Sequence, residues 1–570
     1  MNNPGAGGLE RVRQVSWLQT AALLWREKLT VSNLVGLIGV ACALFLLIAL
    51  QEPWNYRIPF YCVILIWTIL RPRIALYLMP FAVPWGSLDT IDVAGLHLNS
   101  ADILVVLLGA GWLLSFGLRS TFSYGERGTF SEGRGPIGPI DREASNVPLY
   151  LLFALLALLG TMVLSMRSSI SIGSSLKEVS KWLEFLVLLL VGSQYIRTRK
   201  QIWTIIVLVC LAGITQAFFG YFQAFFNLGP EAFIRDTSLR VYGTFDQPNP
   251  FAGYLNIPLS IVLALMLLGS DRLTRILAGL ASVLLAAAEY LTQSRGGEIA
   301  IAVALLFIVI VGFPHLRKLI ALLALAALVV VEMFFTGWIP TNVITPALKF
   351  LGIIQISFIA PSSQDYSTAE RLAHWIAGIR MFLHHPLTGV GIGNYPDAYS
   401  QYFVTIFVNS LGHAHNYYIN IAAEIGSIGL TAYLLFLMAL FVAAGSAYSS
   451  IRKKYIQAKA ECSTPPPKIQ APPGMRDKLL ALVQPMRMTA RSQAQGEYAI
   501  LHILRNDRAL AIGLLAALLS VCVHNLVDDL YVHSLTNLIA LLLIVLIRLE
   551  RVTTNVGGNG GNFDQAEIAK

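Results

Sequence analysis

Residues 297–314 read GEIAIAVALLFIVIVGFP: one acid near the start, then an unbroken apolar run closed by glycine and proline. A helix crossing the hydrocarbon core needs about 20 mostly apolar residues, and this run with its flanks meets that length. Runs of the same character recur outward from it, near 31–50, 56–70, 74–90, 101–117, 148–166, 182–196, 201–223, 251–269, 275–292, 318–336, 416–445, 509–526 and 533–548. The expected fold is therefore all-α, a polytopic membrane helical bundle of about 14 transmembrane helices. Residues 31–336 would hold the first eleven spans, 416–445 the twelfth and 509–550 the last two. A long helical extracytoplasmic loop would occupy 337–415.

Composition agrees. Only 13% of the residues are charged, against roughly 25% in soluble domains. The net charge of +9 does not point to nucleic acid, because the bases cluster in short segments between spans. Arg71 and Arg73, Arg119 to Arg142, Arg197 to Lys200, Arg272 and Arg275, Arg317 and Lys318, Arg452 to Lys459, and Arg548 and Arg551 fall on one side of alternate loops. Segments on the other side are sparse or acidic, as at Glu52, Asp89, Asp92, Asp528 and Asp529. The positive-inside rule then predicts both termini in the cytoplasm. Residues 1–30 mix bases with bulky apolar side chains and suit a cytoplasmic segment or an interfacial helix. The run that follows is too long for a signal-peptide core, so it is expected to remain as the first span. Residues 118–147 and the basic cytoplasmic loop 446–508 are too polar to fold alone, with a helical piece expected near 476–488, and 551–570 reads as a disordered tail. Cys42, Cys62, Cys210 and Cys522 lie in apolar runs and Cys462 alone in a basic loop, which gives neither a disulfide framework nor a zinc site.

The chemistry-bearing residues concentrate in and around 337–415. Ser367-x-x-Glu370 has the form of a capping box, and Leu372, Trp375, Ile376, Ile379, Phe382 and Leu383 make one apolar helical face. Arg371 and Arg380 are the bases on this helix, which should end at His384-His385 because Pro386 follows. Gly389, Gly391 and Gly393 permit a tight turn. The spacing is not a dinucleotide fingerprint. Arg295, in Gln293-Ser-Arg-Gly-Gly297, sits where two apolar runs meet. It either snorkels to the interface or, with two glycines allowing close approach, holds an anionic group in its planar fork. Arg371 either is solvated or does the same. His415 opens the next span with Asn416 beside it. Gly426-x-x-Gly429 would put two glycines on one face of that span and let another helix pack closely. For His524-Asn525 and Asp528-Asp529 a plain loop is the stronger reading.

The pattern His415-Asn416-x9-Gly426-x-x-Gly429, preceded by Arg371, Trp375 and His385-Pro-Leu-Thr-Gly-Val-Gly-Ile-Gly-Asn394, resembles the O-antigen ligase and O-antigen polymerase superfamily. Those are polytopic C-type glycosyltransferases. Ser294-Arg295-Gly296 resembles the family's helix-end arginine, and Gly243-Thr-Phe-Asp-Gln-Pro-Asn249 resembles an earlier loop. The chain departs from the pattern at Leu430 and in the long 446–507 segment. The resemblance covers about 240–440 and implies an enzyme of the bacterial cytoplasmic membrane with its active site outside. The donor would be a glycan on undecaprenyl diphosphate and the acceptor a hydroxyl of a lipid, glycan or protein. Arg295 and Arg371 match the family's two arginines for the departing diphosphate, and His415 matches its base, for which an imidazole's ordinary pKa is suited. Tyr242, Asp246, Asn249, His413 and Asn416 are candidates for binding sugar hydroxyls or orienting His415. Without a carboxylate pair at metal-site spacing, neither metal nor cofactor is expected. Ligase and polymerase differ only in acceptor and both stay open. A transporter is the rival class, and a non-catalytic role in envelope assembly is a third.

Overall fold

The computed structural model describes residues 58–88, 90–93, 96–122, 147–235, 238–336, 358, 366–463 and 476–556. The first expected span, the segment before it, most of 118–147, most of 337–365 and the tail beyond 556 lie outside the described residues. The chain divides into two units, 1–70 with 555–570 and 71–554. Of the first, helix α1 (Ile58–Leu70) is described.

The second unit opens with α2 (Arg73–Trp85), a two-strand hairpin of β1 (Ile91–Val93) and β2 (Leu96–Leu98), α3 (Ser100–Phe122) and α4 (Leu149–Ser165). Next come α5 (Ile172–Val187), α6 (Arg199–Phe226) and a second small hairpin, β3 (Ile234–Arg235) with β4 (Ser238–Leu239). Then follow α7 (Pro248–Leu268), α8 (Arg272–Leu291), α9 (Arg295–Gly312), α10 (Arg317–Phe335) and α11 (Tyr366–His384). The last three helices are α12 (Tyr417–Ser463), α13 (Arg476–His524) and α14 (Leu535–Thr554). Helices α5, α6, α8 and α9 start after a residue whose side chain satisfies an orphan N–H of the first turn. Thr198 and Gln201 form a reciprocal capping box on α6. Asp271 accepts from the Thr274 N–H at 2.8 Å, and Ser294 accepts from the Gly297 N–H at 3.3 Å.

Among the described residues, seven helices are long and apolar enough to cross a membrane. The all-α bundle is thus present, but fewer spans than the sequence led us to expect satisfy length and composition. Helix α2 is only 13 residues long and carries Pro80 and Pro84 within it. The run expected at 182–196 is the end of a helix that starts ten residues earlier, passes through a π-helical turn at Leu188–Gly192 and closes at Tyr195. Residues 446–508 also depart from the loop expectation. They prolong α12 to Ser463 and begin α13 at Arg476, so α12 beyond Gly426 runs for roughly 55 Å and α13 for roughly 75 Å. The segment is helical at both ends. Its helices pack on each other, with Ile451 and Leu504 fully buried and the Arg508 guanidinium 5.4 Å above the Tyr455 ring.

Helix α14 runs through the middle of the unit, and every residue from Leu535 to Leu549 is buried. Lipid is as apolar as leucine, so burial alone does not drive helices together in a bilayer. Close packing does. A Cβ on Gly213 of α6 would lie 2.7 Å from Pro258 Cγ of α7, and one on Gly513 of α13 would lie 2.9 Å from Ile261 Cα. A partly buried ion pair adds a cross-link: Arg199 reaches Asp507 at 2.7 Å, and the Thr553 hydroxyl donates to the same carboxylate at 2.6 Å.

The expected glycine face on α12 is instead a break. Gly426 has φ 67° and ψ −167°, outside helical geometry. Segment 386–391 lies in the gap and takes up the freed backbone groups. The Ser427 N–H donates to the Pro386 carbonyl at 2.8 Å, while Val390 and Gly391 donate to the carbonyls of Ala423 and Glu424 at 3.0 and 2.9 Å. A side chain at Gly389 or Gly426 would strike the opposing backbone, at Glu424 and Leu387 respectively. Unsatisfied backbone is costly in a membrane, so an interrupted helix needs such a partner. The other side of the turn is clamped by Asn394, whose Oδ1 accepts from the Ser171 N–H at 2.6 Å and whose Nδ2 donates to Ser175 Oγ at 2.9 Å.

Candidate active site

Helix α11 stops at His384 as its Pro386 demands, but it buries the face opposite to the expected one. Ala369, Ala373, His374, Ala377, Gly378 and Met381 point into the protein, while Ile379 and Leu383 are exposed. Small residues let α11 approach α12, and the bulky ones are left for an apolar surround. This rotation brings His374 inward, with Trp375 at its edge.

His415 precedes α12 in a left-handed conformation, φ 49°, which a residue with a Cβ holds only when its surroundings impose it. The constraints are visible. The Trp375 indole N–H donates to the His415 carbonyl at 3.1 Å, and the His415 N–H donates to His413 Nδ1 at 3.1 Å. Asn416 caps α12 by accepting from the N–H groups of Tyr418 and Ile419 at 3.0 and 3.1 Å. The Tyr417 N–H donates to the carbonyls of Asn525 and Asp528 at 2.9 and 3.2 Å.

That last link brings in the turn between α13 and α14. Asp528, which reads as plain loop in the sequence, is 1% exposed. Its Oδ1 stands 3.4 Å from His415 Nδ1 and 3.8 Å from His413 Nε2. Burial would raise the Asp528 pKa, but the hydrogen bond and charge of His415, then the charges of His413 and Arg371, outweigh it and hold the carboxyl well below its usual range. Burial and the neighbouring His415 charge push His374 down to about 4 and His413 down to about 3. His374 lies 5.4 Å from His415 between ring centroids and stacks on Tyr399 at 4.8 Å.

Arg371 acts electrostatically on both Asp528 and His524. Arg295 begins α9 directly after its cap, and the next residue, Gly296, packs on the same turn. A Cβ there would lie 3.0 Å from the His524 ring and 2.7 Å from Val527. The start of α9, the first turns of α11, the 413–416 segment and the 524–528 turn therefore converge around Asp528.

Residues 280–434 match the family model described as O-antigen ligase. The chain carries an O-antigen ligase domain. Among curated proteins, none matches this sequence. Arg295, Arg371, His413 and His415 lie inside the ligase domain, whereas Asp528 and His524 come from beyond its end. In the sequence the signal for them was two adjacent acids at the end of an apolar run, in a chain poor in charge.

Of the remaining candidates, Tyr242, Asp246 and Asn249 lie before the matched residues and Asn416 lies within them. Arg240 donates to the Thr292 carbonyl at 3.0 Å and to Asn249 Oδ1 at 3.1 Å, so Asn249 braces the segment before Arg295. Tyr242 packs on Phe233, with ring centroids 5.3 Å apart, and its hydroxyl donates to the Leu228 carbonyl at 3.4 Å. Asp246 is exposed and 3.9 Å from His533 Nε2. The Asn416 side-chain oxygen is spent on its helix cap. His413, by contrast, accepts directly from the His415 N–H.

One group in the described residues has the spacing of metal ligands: His413, His415 and Asp528 present atoms within 4.8 Å of one another. A ligating imidazole ordinarily donates through its other nitrogen. His413 accepts there, from the His415 N–H, which leaves its proton on Nε2. That proton would have to be lost before His413 could ligate.

Proposed function

We propose that this protein is a membrane glycosyltransferase that moves a glycan from an undecaprenyl-diphosphate donor to an acceptor hydroxyl, without a metal, on the extracytoplasmic side of the cytoplasmic membrane. The observation that carries this reading is the His415–Asp528 pair beside Arg371, within a chain holding an O-antigen ligase domain. With Nδ1–H donated to Asp528, His415 Nε2 is left with its lone pair. It takes the proton of the acceptor hydroxyl while that oxygen bonds to the anomeric carbon. The bond from that carbon to the diphosphate oxygen breaks, and the diphosphate leaves with the electron pair. Asp528 steadies the imidazolium so formed, the role a buried carboxylate has behind any histidine base. Arg295 and Arg371 meet the growing charge on the leaving group. Preorganised cations aimed at such charge are the largest lever available to an enzyme, and their supply by arginine is the basis for the metal-free reading. The side of the membrane follows from the distribution of bases along the loops.

The test gives purified protein a synthetic prenyl-diphosphate sugar with lipid, glycan or protein acceptors, with and without EDTA. Prenyl diphosphate release by the parent, lost in His415→Ala and Arg295→Ala, supports the proposal, and the acceptor consumed separates ligase from polymerase. Equal turnover in those variants removes both residues from the mechanism, and loss of activity with chelator refutes the metal-free form.

A further inference from the structure

The turn that carries Asp528 holds a second buried group that the chemistry above does not use. His524 closes α13, four residues before Asp528, and is 1% exposed. Two helices make room for its ring. A Cβ on Gly296 of α9 would lie 3.0 Å from Cδ2 and from Nε2, and a Cβ on Gly253 of α7 would lie 3.2 Å from Nδ1. The ring is therefore held between α7 and α9, with its Cδ2–Nε2 side toward the first turn of α9. On the α7 side the Leu530 methyl groups close the space, and Nδ1 has no hydrogen-bond partner among the described residues. An imidazole carries at least one N–H, and buried N–H groups without an acceptor are rare. The proton therefore belongs on Nε2, the nitrogen that faces α9. If packing were the only task, an apolar side chain would fill the space without an idle buried nitrogen.

That N–H meets the positive end of an 18-residue helix whose first residue is Arg295. Helix N-termini bind anions, phosphate above all, through backbone N–H groups and the helix dipole. Guanidinium, helix end and imidazole N–H all present positive charge or donors to one place. We infer that His524 is a further ligand of the donor's diphosphate: its Nε2 donates to a phosphate oxygen at the start of α9, beside Arg295. The inference rests on the glycosyltransferase reading above. It gives one turn two duties, with Asp528 steadying the base and His524 holding the leaving group.

The experiment measures binding of a synthetic prenyl diphosphate to the purified full-length protein in lipid nanodiscs, with the matching prenyl alcohol as control. His524→Leu should weaken binding of the diphosphate roughly 10- to 150-fold, the loss of one hydrogen bond to a charged group, and leave binding of the alcohol and Tm unchanged. His524→Gln, whose amide nitrogen reaches about as far as Nε2, should restore most of the affinity. Parental affinity in His524→Leu, an equal loss for the alcohol, or equal losses in the leucine and glutamine variants overturns the inference and leaves the glycosyltransferase reading standing. A parent that binds the diphosphate no better than the alcohol overturns both together. Should the variants fail to fold, a structure of the parent with prenyl diphosphate bound decides: Nε2 within hydrogen-bond distance of a phosphate oxygen supports the ligand role, and a longer separation overturns it.

Discussion

Replacing Asp528 by asparagine keeps size and shape but removes the charge that faces His415. The separation is 3.4 Å, longer than a short charge-assisted bond, so the loss should approach that of an ordinary hydrogen bond to a charged group, about 1.5–3 kcal/mol. At 1.36 kcal/mol per factor of ten, turnover should fall roughly 10- to 150-fold. Asp528 does not reach the donor in this mechanism, so the loss belongs in kcat while KM for the prenyl-diphosphate sugar stays within a few-fold. Single-turnover release of prenyl diphosphate by purified Asp528→Asn and Asp528→Glu measures this, with Tm recorded beside it to exclude misfolding. A folded Asp528→Asn enzyme with parental kcat would refute the claim that the carboxylate supports the base. A loss confined to KM would place Asp528 at the substrate instead.

Arg371→Ala and Arg295→Ala should each lower kcat by at least ~100-fold, the lower end of what losing one preorganised donor to developing charge costs. Lysine should restore little of it, because its point charge lacks the planar fork; full activity in either lysine variant would contradict fork-like binding. Gly426→Ala should destabilise the protein severely, since φ is 67° and the new Cβ would strike the Leu387 backbone. Parental yield and Tm would show that the break in α12 is dispensable. Asp507→Ala removes the partner of the partly exposed Arg199 and the acceptor of Thr553 and should cost about 1.5–3 kcal/mol, read as a lowered Tm. Acid should also weaken the fold. His374 and His413 have folded pKa values of about 4 and about 3, below the ordinary ~6.5. The unfolded chain then binds more protons in that window, and stability is complete above ~6.5 and lost as pH falls toward the folded values. Between pH ~6.5 and ~5 each group contributes a loss of about 2 kcal/mol, and a Tm flat over that range would exclude it.

Much of this protein was legible without coordinates because the membrane imposes a long apolar run on each spanning helix, and Pro386 and Ser294 mark helix ends by local chemistry alone. Arg295, Arg371 and His415 likewise stand out in a chain so poor in charge. Three features were not local. The buried face of α11 depends on which side meets α12, and periodicity marks two faces without saying which turns inward. Gly426 breaks its helix because segment 386–391, some 35–40 residues earlier in the chain, supplies the missing hydrogen-bond partners. Asp528 meets His415 across more than a hundred residues, through backbone bonds that only the packed bundle brings into range. One-dimensional order carries the hydrophobic pattern and the end signals. Which polar groups are buried together is a property of the packing, and the proposed chemistry rests on it.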